Sequence, residues 1–277
     1  VDEVIGMTAA PSVSGDPHDV RIGGFPAWPL PLDATGARIA RSLVRTVFGE
    51  LGMPGELTYD ATLAISELAT NAYVHGYGGG RPATGSPAGR PEMWAYLRWG
   101  ARPEVVLKIF DSGPWREMGA EGPSRPPLTA ESGRGLEVAH ALTAVHGGQW
   151  GTHRTWSRLG ARPVTGKAAF ITLPIPSRCP AATMPLPRSP RETADRIHRL
   201  LETRGLNRLQ RTEGHGMTVI CVRAGVHMWV REDGILHYVP GRGGVRLALC
   251  DGIEAVEQVV RHCADLDATY GSPERGR

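Results

Sequence analysis

Apolar and polar positions along residues 65–77, ISELATNAYVHGY, follow a helical period. Ile65, Leu68, Ala69 and Ala72 fall on one side, while Glu67, Asn71 and His75, each four residues from the next, rise along the other. This predicts a helix with a core stripe opposite an edge that carries a carboxylate, an amide and an imidazole. The period shortens to that of strands in MWAYLRW (93–99), VVLKIF (105–110), a stretch near 149–156 and AAFITLPI (168–175). Between the second and third of these, ESGRGLEVAHALTAVHGG (131–148) sets a glycine run before an amphipathic helix carrying Leu136, Val138, Ala139, Leu142 and Val145.

Further along, PIPSRCPAATMPLPRSP (174–190) holds too many prolines for a helix or a central strand, and reads as a semi-rigid linker over 177–190. Ser189 and Pro190 then open a helix whose stripe is Ile197, Leu200 and Leu201 and whose stop is Gly205. MTVICV and the run VHMWVREDGILHYVP, turning at Asp233-Gly234, read as strands and a hairpin. A last helix starts at Asp251, with Glu254 as its capping partner and Ile253, Val256, Val260 and Ala264 on one face. The expected organisation is therefore a mobile segment over 1–24, a main domain over 25–176, the linker, and a separately folding small α+β domain over 191–277. The main domain reads as a two-layer α/β sandwich with helices on one face of a mixed sheet. No internal repeat appears.

Composition narrows the class. With 277 residues, 41% hydrophobic and 21% charged, the chain can form one ordinary core and a smaller one. No apolar run approaches the roughly 18–20 residues that span a bilayer, and residues 1–17 lack a basic region followed by an apolar stretch, so a cytoplasmic protein without a membrane partner is expected. A net charge of +3 is too small to argue for nucleic acid. Only Lys108 and Lys167 are lysines; arginine supplies every other basic residue. Cys179, Cys221, Cys250 and Cys263 lack the paired spacing of zinc or redox sites. The arginines at 191, 196, 199, 204, 208 and 211 are interspersed with Glu192, Asp195 and Glu202 and read as a solvated face. Trp94, Trp99, Trp150 and Trp156 read as sheet packing.

Three segments carry candidate chemistry. The polar edge of Glu67, Asn71 and His75 suits a metal-nucleotide site. Asp111 and Gly113 stand at the end of a buried strand, where a carboxylate seeks donors such as an adenine amino group. Gly133-Arg134-Gly135 precedes a helix whose start favours phosphate oxygens. Taken in order, ELATNAYVHG, IFDSG, SGRGL and the closing strand GKAAFITLP resemble the motifs of the GHKL nucleotide-binding fold, and most nearly those of the anti-sigma-factor serine/threonine kinases. FPAWPLPLDATGARIARSLVRTVFGELGMP resembles the first strand and helix of the same kinases, so the resemblance spans about residues 25–176.

That resemblance implies ATP and Mg²⁺ as cofactors, a sigma factor or a STAS-type anti-anti-sigma protein as partner, and phosphorylation of the latter on Ser or Thr. It implies Glu67 as general base, Asn71 as the Mg²⁺ ligand and Asp111 as the acceptor for adenine, with Gly113 letting the backbone approach the base. It further implies Gly133, Arg134, Gly135 and Leu136 around the phosphates, His75 beside the site, and residues 114–132 as a lid. Trp115 stands where gyrase-like members have a second glycine, and Lys167 follows Gly166 where a threonine is usual; Lys167 either reaches a phosphate or faces solvent. A nucleotide-binding switch without catalysis is the alternative to a kinase, and homodimer formation is left open.

Overall fold

The computed structural model describes residues 15–78, 89–115, 135–182, 189–239 and 243–271. The expected α+β class holds: a sheet with helices packed on it, followed by a second small α+β unit. After a short helix α1 (His18–Arg21), the first unit runs β1 (Ala27–Pro29), α2 (Thr35–Leu51), α3 (Gly55–Asn71), β2 (Glu92–Arg98), β3 (Glu104–Asp111), α4 (Gly135–Val145), β4 (Gln149–Trp156) and β5 (Thr165–Pro174). Its sheet has the order β1-β2-β3-β5-β4. Every neighbouring pair is antiparallel, which corrects the expected mixed sheet. The links from β2 to β3 and from β4 to β5 are too short for the crossover of a dozen or more residues that parallel neighbours require.

Alternation sorts the strands onto two buried faces. Met93, Ala95, Leu97, Val105, Leu107, Ile109, Ile171 and Leu173 meet Val44, Phe48, Ile65 and Leu68 of α2 and α3. The opposite set, Trp94, Tyr96, Val106, Phe110 and Ala168, packs with Phe25, Ala27 and Ile253. Both faces being covered explains why β2 and β3 lack exposed positions.

The second unit begins with α5 (Pro190–Thr203), whose Ser189–Glu192 capping box and Pro190 fix its start. Five strands follow, β6 (Gln210–Gly214), β7 (Met217–Arg223), β8 (Val226–Arg231), β9 (Gly234–Val239) and β10 (Gly243–Leu247), in a meander ordered β10-β9-β8-β7-β6. The chain then enters α6 (Gly252–Tyr270). Ile197, Leu201, Ile220, Met228, Val230, Val256 and Val260 share one core.

α6 is buried on nearly all sides from Gly252 to Ala264, because it lies between the two sheets. The contact is polar at its centre. Glu257 accepts from Lys108 Nζ at 2.9 Å through one oxygen and from Arg204 Nε at 2.9 Å through the other. Arg204 is 0% exposed and also donates to the carbonyls of Trp156 and Ser157 and to Thr155 Oγ1, with its guanidinium 4.8 Å from the Trp94 ring. This corrects the reading of Arg204 as part of a solvated face: its position at the end of α5 points it into the first unit.

Asp251 and Glu254 are also corrected. Neither makes a capping bond. Asp251 Oδ1 accepts from the Trp99 amide at 2.6 Å, and Glu254 accepts from Tyr96 Oη at 2.7 Å. The second unit is thus joined to the first through buried charges, where the sequence reading expected two independently folding modules. Residues 15–24, expected to be mobile, contribute the fully buried Val20, and the Gly15 carbonyl accepts from Trp28 Nε1 at 2.7 Å. The start of the proline-rich segment also packs, with Cys179 buried against the Gly52 carbonyl. Among the described residues no helix is long and apolar enough to cross a membrane.

Burial alone would raise the Glu257 carboxyl, but Arg204 and then Lys108 override it and hold the pKa at about 2, below the ordinary 4.5. Burial, aided by Lys108, pushes His153 from 6.5 down to about 3. Both groups are depressed in the folded chain, so each contributes stability present above its ordinary value and lost as pH falls toward the folded one. Unfolding free energy should therefore decline from about pH 6.5, as His153 resists its proton, and fall more steeply below about pH 4.5. His153→Phe should flatten the first limb when chemical unfolding is measured against pH; superimposable wild-type and variant profiles would contradict this.

Candidate functional site

α3 delivers Glu67 and Asn71 to one face, as the four-residue spacing requires. Both are half-buried, and among the described residues neither has a hydrogen-bond or ion-pair partner. Opposite them Ile65, Leu68, Ala69 and Ala72 are buried, as expected. His75 departs from the ladder. Residues Ala72–Gly76 form a π-helical turn, which widens the helix after Asn71 and leaves His75 exposed. The turn also brings Gly76 against the end of β3.

Asp111 ends β3, its side chain buried beside that turn. The fit is close enough to demand glycine on two sides. A Cβ on Gly76 would stand 2.7 Å from Asp111 Oδ1, and one on Gly113 would stand 2.6 Å from the Gly76 Cα and 2.8 Å from Asp111 Oδ1. A third glycine, Gly166, would carry its Cβ 2.2 Å from the Asp111 carbonyl oxygen. The Gly113 amide donates to Asp111 Oδ1 at 2.9 Å. Tyr77, buried, holds the adjoining turn: its hydroxyl accepts from Ser112 Oγ at 3.1 Å and donates to the Gly89 carbonyl. Gly76 and Tyr77 were not among the candidates named from sequence. Their signal was the His-Gly-Tyr end of the helix motif, whose meaning depends on which strand it meets.

Lys167 neither faces solvent nor stands free. It is the cross-strand partner of Asp111 in the β3–β5 register, and its Nζ donates to Asp111 Oδ1 at 2.6 Å and to the Pro114 carbonyl at 3.2 Å. Burial raises the Asp111 pKa and remains the larger effect, while Lys167, the Gly113 amide and His75 pull it back. Trp115 closes the same end, with the Arg154 guanidinium 4.9 Å from its ring. Gly135 begins α4, and Leu136 packs against the first core. Gly133, Arg134 and residues 116–132 of the expected lid lie outside the described residues. Among the described residues no group of three or more His, Cys, Asp or Glu is placed to hold a metal ion.

Residues 30–155 match the family model of the histidine kinase-like ATPase domain. The matched range holds Glu67, Asn71, His75 and Asp111 and ends before Lys167. No curated protein matches the chain. Among solved structures, the histidine kinase domain of the blue-light activated histidine kinase from Erythrobacter litoralis EL346 is similar at 16% identity and a TM-score of 0.32. That alignment covers 53% of this chain and 63% of the other. The match to the ATPase domain implies ATP binding, and the residues present suit it: a buried carboxylate in a cradle that only glycines permit, beside a helix edge whose amide and carboxylate are unengaged.

Gly113→Ala should be destabilised by about 1–3 kcal/mol through overpacking and should bind ATP more weakly than wild type. Chemical denaturation and calorimetry check the two effects, and a variant as stable as wild type would show that the Gly76–Asp111–Gly113 contact is looser than described.

Proposed function

We propose that the chain is an ATP- and Mg²⁺-dependent serine/threonine kinase of the anti-sigma-factor type, acting in the cytoplasm on a STAS-type anti-anti-sigma partner and controlling transcription through partner switching with a sigma factor. The observation that carries the reading is Asp111 in its glycine cradle, packed against Gly76 of the turn that continues the helix bearing Glu67 and Asn71. ATP, when bound, supplies the γ-phosphoryl group, and Mg²⁺ supplies the charge neutralisation that phosphoryl transfer needs. Asp111 orients the base by accepting from its amino group. Asn71 would hold the metal. Glu67, with no described partner to occupy it, takes the proton of the partner's hydroxyl.

The ion pair between Lys167 and Asp111 favours a second reading, in which the chain is a nucleotide-binding switch that acts by protein contact without transfer. Both readings use the same site and differ in Glu67.

For the kinase, Glu67→Ala should lower phosphoryl transfer by about 10²-fold or more while ATP binding persists. Asn71→Ala should instead weaken Mg²⁺-dependent ATP binding and transfer together. Phosphate incorporation into a STAS-type partner, alongside calorimetry with ATP–Mg²⁺, separates the two. Undiminished transfer by Glu67→Ala would sink the assigned base, and tight partner binding with no transfer by wild type would favour the switch.

A further inference from the structure

A cavity of about 360 Å³ lies between the outer face of the first sheet and α6, on the side of the sheet away from Asp111. Its volume falls within the range of small-molecule sites, but its walls lack the predominantly apolar lining usual there. Of the lining residues only Val106, Phe170 and Val245 are wholly apolar; the others carry hydroxyl, amide, imidazole or charged groups. Phe170 lies across Gly151 of the neighbouring strand, where a Cβ would stand 2.9 Å from its ring. The sheet thus offers one aromatic plate among polar groups.

Charge does not select an occupant. Glu254 accepts from Tyr96 Oη at 2.7 Å and from Gln258 Nε2 at 2.8 Å, and it lies 3.8 Å from Arg98, which also pairs with Glu104. Glu257 answers Lys108, and Arg261, the remaining cation of the wall, is partly exposed.

Hydrogen-bonding capacity does select one. Because Gln258 gives its amide N–H to Glu254, its carbonyl oxygen is the end that lies 2.9 Å from His237 Nε2, so Nε2 carries the proton. Burial, aided by His262, lowers the His237 pKa and keeps the ring neutral. Nδ1 is then a bare lone pair, without a partner, on a side chain only 2% exposed. His153 repeats the pattern: Nδ1 lies 2.9 Å from the Arg154 carbonyl and carries the proton, burial holds the pKa at about 3, and Nε2 is left as an acceptor. Buried acceptors of this kind are costly to leave unmet. Donors stand on the same walls, namely the Gln149 side-chain amide and Lys108, which keeps two of its three N–H groups after Glu257 takes one. An occupant must donate at some positions and accept at others, and a hydroxyl does both.

We propose that this cavity binds an uncharged, polyhydroxylated ring of monosaccharide size. The C–H face of the ring packs on Phe170, hydroxyls donate to His153 Nε2 and His237 Nδ1, and others accept from Lys108 and Gln149. A flat apolar ligand would leave those groups unpaired, and a charged one would have to compete with contacts that the wall charges already make.

The test is titration of the full chain, without nucleotide, with D-glucose, D-galactose, D-mannose and myo-inositol, followed by saturation-transfer NMR. Cyclohexanol, D-glucosamine and D-glucuronate form the comparison arms. At least one of the first four should saturate with a Kd of about 10 mM or tighter. Cyclohexanol, which keeps a ring and one hydroxyl, should bind about 10-fold more weakly or less, and neither charged sugar should bind more tightly than D-glucose. Nitrogen NMR should show His153 Nε2 unprotonated and moving as binding saturates. Val245→Trp fills an exposed position on the wall and leaves the hydrogen-bonded groups in place; it should abolish binding in a chain that still folds. No saturable binding by any of the four, which would mean a cavity filled by water only, would overturn the assignment. So would tighter binding of a charged sugar than of D-glucose, or undiminished binding by Val245→Trp. Because nucleotide is absent from every arm, the outcome leaves the kinase reading untouched.

Discussion

Glu257 sits with each carboxylate oxygen on a different buried cation, Lys108 from the first sheet and Arg204 from the end of α5, and the arrangement of both units follows from it. Bringing three ionised groups out of water is costly. The cost is offset only while the geometry holds, because removing one partner of a buried pair typically leaves a penalty of about 3–5 kcal/mol. Such a cluster contributes less to net stability than to register: α6 cannot rotate or slide along the sheet without stranding a charge. Tyr96 with Glu254 and the Trp99 amide with Asp251 repeat the constraint along the helix. The outer face of the sheet is covered as a result, and β2 and β3 run through the protein without an exposed position.

The same strand links this cluster to the candidate nucleotide site. On β3, Lys108 points outward to α6, and Asp111, three residues on, points to the helical layer, as alternation requires. The two lysines of the chain therefore occupy comparable roles on opposite faces, Lys108 on Glu257 and Lys167 on Asp111. A compact ammonium suits both places, since it approaches a carboxylate from any direction where a planar guanidinium needs a broader approach. At Asp111 one carboxylate oxygen, Oδ1, already accepts from Lys167 and from the Gly113 amide.

Local signals made much of this legible in the sequence. The stripe of Ile65, Leu68, Ala69 and Ala72, the strands around residues 93–99, 105–110, 149–156 and 168–175, and the helix start at Ser189 and Pro190 each depend on neighbours a few residues away. What could not be read there depends on partners far along the chain. Arg204 looked solvated because the groups that bury it are Glu257 and the carbonyls of Trp156 and Ser157. Asp251 and Glu254 had the spacing of a cap, but the Trp99 amide and Tyr96 hydroxyl offered them stronger demands from a buried interface. His75 kept its four-residue spacing in sequence and lost its place in the ladder when the helix widened to bring Gly76 onto Asp111. Lys167 was visible as a departure from the usual threonine, but its pairing with Asp111 follows from strand register.

The proposed reading makes Asp111 the carboxylate that recognises the base, with Lys167 already on one of its oxygens. Calorimetric titration of ATP–Mg²⁺ into wild type and Lys167→Thr tests this most directly. Releasing a charge-assisted bond of about 1.5–3 kcal/mol from the Asp111 oxygen should raise ATP affinity by about 10-fold or more in the variant. Unchanged or lower affinity in a folded Lys167→Thr chain would contradict the account and make Lys167 a contributor to nucleotide binding instead of a competitor for Asp111.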